Sequence, residues 1–282
     1  FYRLSVPFGQ GAMLVVAGRC GKLLDSPQGG WAVAFLTCAL ITAGAGAFFL
    51  KVLPYPQADS ERAGFDSREI LRNMGTAFGE FFRKKGFLSI LAFVLFYRFA
   101  EAQLLKIVQP FLNAARDCGG LGISLENIGW IYGTAAPVAL LGGGIVGGLF
   151  VAKAGLKKAI WPMALAMNLP NAIYVYLAYV QPQSLLEVSG LLCAEQFGYG
   201  LGFAGYMVYL MKAAAGENRT STYAIFTSFM ALGIILPGFY SGEIQQKLGY
   251  CGFFEWVLFC TLVSFFVTFL AYRTLGWIDA EK

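Results

Sequence analysis

The chain has 282 residues, of which 57% are hydrophobic, 16% aromatic and only 13% charged, where a soluble domain carries about 25% charged residues. With a mean hydropathy of +0.62, this balance excludes a disordered chain, a disulfide scaffold and an ordinary cytosolic enzyme, and leaves an integral membrane protein. The absence of histidine removes imidazole catalysis, imidazole metal ligands and a histidine proton relay. The six cysteines are scattered without a CxxC pair, so they are expected to be buried small apolar side chains, with no metal and no cofactor.

A bilayer core takes about 20 apolar residues per helix. Eight candidate runs follow one another: 4–17, 31–53, 87–108, 128–151, 160–180, 185–211, 222–241 and 253–275. The first is short. The chain opens with FYRLSVPFGQG, which lacks the charged start and clean apolar run of a signal peptide and is expected to begin in mid-protein. Five tryptophans (Trp31, Trp130, Trp161, Trp256, Trp277) fall near span ends, where the amphipathic ring prefers the interface.

The basic residues alternate with the spans. Arg3, Lys51, Arg62, Arg68, Arg72, Arg83, Lys84, Lys85, Lys153, Lys157, Lys158, Lys212, Arg219, Arg273 and Lys282 fall on one side, against Arg19, Lys22, Lys106, Arg116 and Lys247 on the other. The rich side is expected to be cytoplasmic, with both ends of the chain there. The same excess accounts for the net charge of +5 without nucleic acid. Residues 1–53 are read as the last two helices of a first half, and 54–86 as a polar cytoplasmic linker. Within that linker, Ile70, Met74, Ala77 and Phe81 at helical spacing suggest an amphipathic surface helix. Residues 87–282 form a six-helix second half.

Glycine is dense in two spans: Gly142, Gly143, Gly144, Gly147 and Gly148 in the fourth, and Gly198, Gly200, Gly202 and Gly205 in the sixth. Such spacing allows close helix contact, either as static packing or as a sliding seam.

An Arg, Lys or Asp at a helix centre costs about 2.5–3.5 kcal/mol on insertion scales, so intramembrane charges call for a reason. The third span carries Arg98, Glu101 and Lys106. Arg98 and Glu101 are three apart and able to pair. Lys106 lies two turns from Arg98 on nearly the same face. One reading is a site for an anionic group, with Glu101 as partner or proton carrier. The other is an internal salt bridge with Lys106 snorkelling outward. Glu195, beside Gln196 near the middle of the sixth span, is a second candidate proton carrier. Asn168 and Asn171 flank Pro170 in the fifth span, and Tyr132, Tyr206 and Tyr223 add hydroxyls at depth. These read as solute contacts or as interhelical hydrogen bonds.

The runs LFYRFAEAQLLKIVQPFL, GGLGISLENIGWIYGTAAPVALLGGGIVGGLFVAKAGLKK, EQFGYGLGFAGYMVYLM and STYAIFTSFMALGIILPGFYSGEIQQKLGY resemble the AmpG-like muropeptide permeases of the major facilitator superfamily, which are related to acetyl-CoA transporters. The resemblance covers residues 86–270 well and 1–53 loosely. The loop from Gly148 through Lys153, Gly155, Lys157 and Lys158 resembles the superfamily's cytoplasmic gating signature, with Ala152 at its acidic position. The resemblance implies an all-α polytopic fold in the inner membrane and a monomer. Its activity would be proton-driven import of anhydro-muropeptides by alternating access, with membrane lipid, an anionic solute and protons as partners. Arg98 and Lys106 would then face the anionic cargo and Glu101 and Glu195 would couple protons. Tyr132, Asn168, Asn171, Gln196 and Tyr206 would add contacts. Two other classes remain: a receptor or sensor with a transporter fold, and a membrane-embedded lipid-modifying enzyme.

Overall fold

Inside hydrocarbon a backbone must satisfy its own hydrogen bonds, which for a chain of this composition means helices. In a computed structural model every regular element among the described residues is helical. The structure describes residues 16–53 except 18 and 22, positions 75, 76, 79, 82 and 83, and residues 86–278 except 217 and 218. The first predicted span lies outside the described residues apart from Val16 and Ala17, as does most of the predicted linker helix.

The chain divides into two units, Phe1–Leu71 and Arg72–Lys282. In the first, helix α1 (Pro27–Val52) starts where Ser26 takes an extended conformation and its hydroxyl accepts the Gly29 N–H at 3.2 Å, with Pro27 pre-set for the first turn. Phe35, Leu36 and Leu40 of α1 are exposed, as an apolar helix in lipid permits.

The second unit contains α2 (Phe87–Phe96), α3 (Phe99–Asn113), α4 (Leu125–Trp130), α5 (Ala136–Ala154), α6 (Leu156–Asn168), α7 (Ala172–Val180), α8 (Leu185–Ala213) and α9 (Arg219–Ile278). Five helices are long and apolar enough to cross a membrane: Gln28–Val52, Phe87–Asn113, Asn127–Ala154, Leu156–Val180 and Arg219–Gly276. Helix α8, with 29 residues, has the length as well. Helix α9 is two passes, because Gly249 at φ 69° and ψ −179° breaks it. Seven passes therefore lie among the described residues. The sequence placed a loop between 241 and 253. The helix instead continues to Leu248, and one residue makes the turn. Positive φ is available to glycine without the steric cost a Cβ imposes, which is why so short a connection works.

Three spans are interrupted, two near the middle and one near its start. Tyr97 and Arg98 separate α2 from α3, and Arg98 leaves helical geometry at φ −102° and ψ 19°. A widened π turn over Ile131–Ala135 precedes Pro137, whose missing N–H and bulky ring cannot fit a regular turn. A 3₁₀ turn at Leu169–Asn171 surrounds Pro170 and separates α6 from α7.

Helix α9 lies along both α2 and α3, while α8 packs against α5 and α6. The glycines explain the second arrangement. A Cβ at Gly143 or Gly200 would run into the backbone carbonyl of Phe197 or Leu140 across the α5–α8 contact, and at Gly147 it would sit 2.7 Å from the Leu201 carbonyl oxygen. Gly202 and Gly205 make room for Met163 and Met167 of α6. The helices gather two apolar cores. One centres on Phe93, Tyr97, Met163, Tyr206, Tyr209 and Phe226, the other on Phe111, Tyr174, Leu192, Phe253, Phe254 and Val257.

One sequence expectation is corrected and one is extended. The cysteines are free, but only Cys260 is buried, and Cys38 and Cys118 are exposed. In lipid the outside of a helix is apolar too, so a thiol is not driven inward. Trp256 does not serve only as an interface ring, since its indole N–H donates to Gln103 Oε1 at 2.9 Å across the α9–α3 contact.

Gly143→Val should push α5 away from α8 and cost at least the roughly 1–3 kcal/mol of overpacking. Gly190→Ala, whose added Cβ meets nothing within 4 Å, should leave stability unchanged or slightly raised. Thermal unfolding in detergent compares the two, and equal melting temperatures would contradict the seam.

Candidate functional site

The site follows from where the two apolar cores meet. On α2–α3 the buried apolar run ends at Tyr97 and resumes at Ala100, with Arg98 and Glu101 at the join. On α6–α7 the join holds Asn168 and Asn171, on α8 Glu195 and Gln196, and on the second arm of α9 Thr261 and Ser264. A polar belt thus crosses the unit between two greasy layers, and the breaks at Arg98 and Pro170 fall within it.

Arg98 organises the belt. It is 7% exposed, and its Nε and Nη2 donate to Glu101 Oε2 and Oε1 at 2.6 and 2.8 Å, a bidentate pair. Nη2 also donates to the Tyr199 hydroxyl at 2.8 Å. The guanidinium carbon lies 5.4 Å from the Tyr199 ring centroid and 5.2 Å from that of Phe203, within cation–π range. The cation is therefore held by one carboxylate, one hydroxyl and two ring faces, the last three from α8.

Glu195 stands one turn before Tyr199 on the same face of α8. It is 5% exposed. Its Oε2 accepts from the Tyr174 hydroxyl at 3.2 Å and from Gln196 Nε2 at 2.8 Å. Both donors are neutral, and among the described residues no ion pair engages Glu195. Tyr132 lies near Tyr174 and Glu195, and Glu101 lies in the same region. Asn171 is 2% exposed, and its Nδ2 has no hydrogen-bond partner. An unmade bond of that kind costs about 1–3 kcal/mol.

The structure thus brings Arg98, Glu101, Glu195, Gln196 and Tyr132 into one polar region. Other candidates are placed differently. The Tyr206 side chain is fully buried, stacks on Tyr97 with centroids 5.1 Å apart, and donates to the Val94 carbonyl at 2.7 Å. It fastens α8 to α2. Tyr97 does the same in reverse, donating to the Gly202 carbonyl at 3.2 Å. Asn168 spends its amide on the Ala164 carbonyl one turn back, at 2.9 Å. Lys106 is exposed and lies along Gly238 of the first arm of α9. It is about 12 Å further along the helix than Arg98, so the expected buried positive stripe is one neutralised cation and one exposed one. Gly155, at φ 78°, makes the single-residue turn between α5 and α6. Lys153, Lys157 and Lys158 are exposed beside it, and a Cβ at Gly148 would meet open space.

Sequence reasoning passed over Tyr199, Tyr174 and Gln103. Tyr199 carried a usable signal, since it lies four residues after Glu195. Tyr174 did so less clearly, three residues after Asn171.

Residues 1–237 match the family model described as Major Facilitator Superfamily. An uncharacterized protein of Haemophilus influenzae is 23% identical over 82% of this chain and 55% of its own length. A Rickettsia conorii protein named "Putative transporter AmpG 4" is 22% identical over 90% of this chain and 60% of its own length. The Escherichia coli protein named "Anhydromuropeptide permease" is 19% identical over 70% of this chain and 39% of its own length. The chain spans between about two fifths and three fifths of these relatives.

At such identities the ion pair must be tested in this chain itself. Arg98→Leu should destabilise the protein by about 3–5 kcal/mol, because it leaves Glu101 buried without its partner. Arg98→Leu with Glu101→Leu should recover most of that loss. A double variant as unstable as the sum of its parts, judged by thermal unfolding, would contradict the coupling.

Proposed function

The chain belongs to the Major Facilitator Superfamily, and on that premise we propose that it is part of a secondary active transporter: a proton-coupled importer of anhydro-muropeptides or a related anionic solute, working by alternating access. In this reading it is not an enzyme. It sits in the inner membrane as a monomer with both ends of the chain cytoplasmic, and its second unit is the C-terminal half. The names of the relatives support the solute class, and the excess of basic residues on one set of connections supports the orientation.

The observation that carries the reading is the pair of buried carboxylates in the polar belt, Glu101 held by a cation and Glu195 by neutral donors only. A charged group at this depth is a pathway residue by default. Arg98 already binds one carboxylate bidentately. A proton taken up by Glu101 removes that partner's charge and frees the guanidinium for a carboxylate of the cargo. Release of the cargo returns Arg98 to Glu101 and expels the proton. Glu195, oriented by Tyr174 and Gln196, carries or relays the coupled proton. Asn171 offers its unpaired amide to an acceptor on the solute or to water, with Tyr132 and Gln196 as further polar contacts. Lys106 attracts the anion from an exposed face. The Gly148–Lys158 segment, with its one-residue turn, is the gating element.

Two outcomes test this in the full-length protein reconstituted in vesicles. Glu195→Gln should abolish accumulation driven by an imposed proton gradient while leaving solute binding measurable, and driven uptake at the wild-type level would remove Glu195 from coupling. Lys106→Ala should weaken binding of an acidic muropeptide several-fold and leave a neutral analogue unaffected, as titration calorimetry would read. Equal losses for both would assign Lys106 to packing.

A further inference from the structure

Where α5 turns into α6, the second arm of α9 runs alongside, and a groove of about 760 Å³ opens between them. That is within the roughly 300–1,000 Å³ of small-molecule sites. It is lined by Ala154, Lys157, Lys158, Trp161, Phe269 and Tyr272. The composition is two-sided. Ala154 and Phe269 contribute apolar lining, while Lys157 and Lys158 add two exposed cations. Lys157 Nζ lies 5.6 Å from the Tyr272 ring centroid, and Arg273 stands with its guanidinium carbon 5.6 Å from the Phe269 ring. Trp161 and Tyr272 supply the aromatic rings that favour the headgroup level of a bilayer. Among the described residues no acidic side chain lines the groove, and Lys157 and Lys158 take part in no ion pair. Among the described residues no acidic side chain answers this charge excess.

We propose that this groove binds an anionic glycerophospholipid, its phosphodiester held between Lys157 and Lys158 and its glycerol and upper acyl chain laid against Trp161, Phe269 and Ala154. Three features select this occupant over a free anion. The lining apart from the lysines is apolar or aromatic and has no use for an inorganic ion. The aromatic rings mark the interface depth at which a lipid headgroup sits. Basic pockets between transmembrane helices hold anionic headgroups by charge complementarity. The site is separate from the polar belt, and its occupancy does not depend on the proposed solute. It gives Lys157 and Lys158 a second role beside the gating expected of that loop: a bound lipid bridges the start of α6 to the second arm of α9.

Native mass spectrometry of the full-length protein tests the assignment, with dioleoylphosphatidylglycerol and dioleoylphosphatidylcholine offered in equal amounts. Wild type should retain phosphatidylglycerol in preference to phosphatidylcholine. K157Q/K158Q should reduce the retained phosphatidylglycerol roughly tenfold or more, since each basic side chain near an anionic surface contributes several-fold. Trp161→Ala should weaken retention of both lipids. Lys247→Gln, which removes an exposed cation at the far turn beside Gly249, should change nothing. Retention by K157Q/K158Q equal to wild type would overturn the proposal. So would an equal loss in Lys247→Gln, which would mean diffuse attraction, or displacement of the lipid by millimolar inorganic phosphate, which would mean an ion site. Because Lys157, Lys158 and Lys247 are exposed, the lysine variants should match wild type in folded yield.

Discussion

A guanidinium in the middle of an apolar helix bundle has to be neutralised, and much of the second unit is arranged around that need. Arg98 takes both oxygens of Glu101, the hydroxyl of Tyr199 and the faces of two rings. Three of these come from α8, so α8 must come close to α2–α3. The tyrosine pair Tyr97 and Tyr206 secures that approach with reciprocal hydrogen bonds to backbone carbonyls. The other side of α8 is closed by glycines that let α5 reach its backbone. Satisfying one charge and packing one glycine-rich helix are therefore linked demands on the same element.

The layering follows from the same constraint. Buried polar groups are costly singly and tolerable when they share partners. Here most of the buried charged and amide side chains collect at one level between two apolar cores, while buried hydroxyls such as those of Thr222 and Thr274 lie elsewhere along the helices. The helix breaks at Arg98 and at Pro170 fall at that level too. In the proposed reading, this belt of hydrogen bonds crossed by interrupted helices is where a solute and a proton act on packing. The unpaired Asn171 amide marks where the belt is incomplete by itself.

Much of this was legible in the sequence. Span positions followed from hydropathy and length, the Arg98–Glu101 pair from i, i+3 spacing, and the glycine seam from its repeat. What escaped depended on tertiary context. The break at Arg98 has no proline or glycine to announce it. The one-residue turn at Gly249 looked like a loop because the apolar runs stop at 241 and 253, whereas a helix end at an interface can carry polar residues and stay helical. Tyr206 and Tyr223 looked alike in sequence, yet only a packed neighbour reveals that the Tyr206 hydroxyl is committed to the Val94 carbonyl. Lys106 shares nearly one face with Arg98 by helical spacing, but two turns of axial distance separate a buried cation from an exposed one.

The central claim is that carboxylate protonation in the belt is tied to solute movement. The most direct measurement is the pH of a weakly buffered medium around vesicles containing the full-length protein, when anhydro-muropeptide is added without any imposed gradient. The account predicts that the medium turns alkaline in step with solute entry, and that a proton-conducting ionophore abolishes the pH change. Solute entry with no proton movement would contradict it.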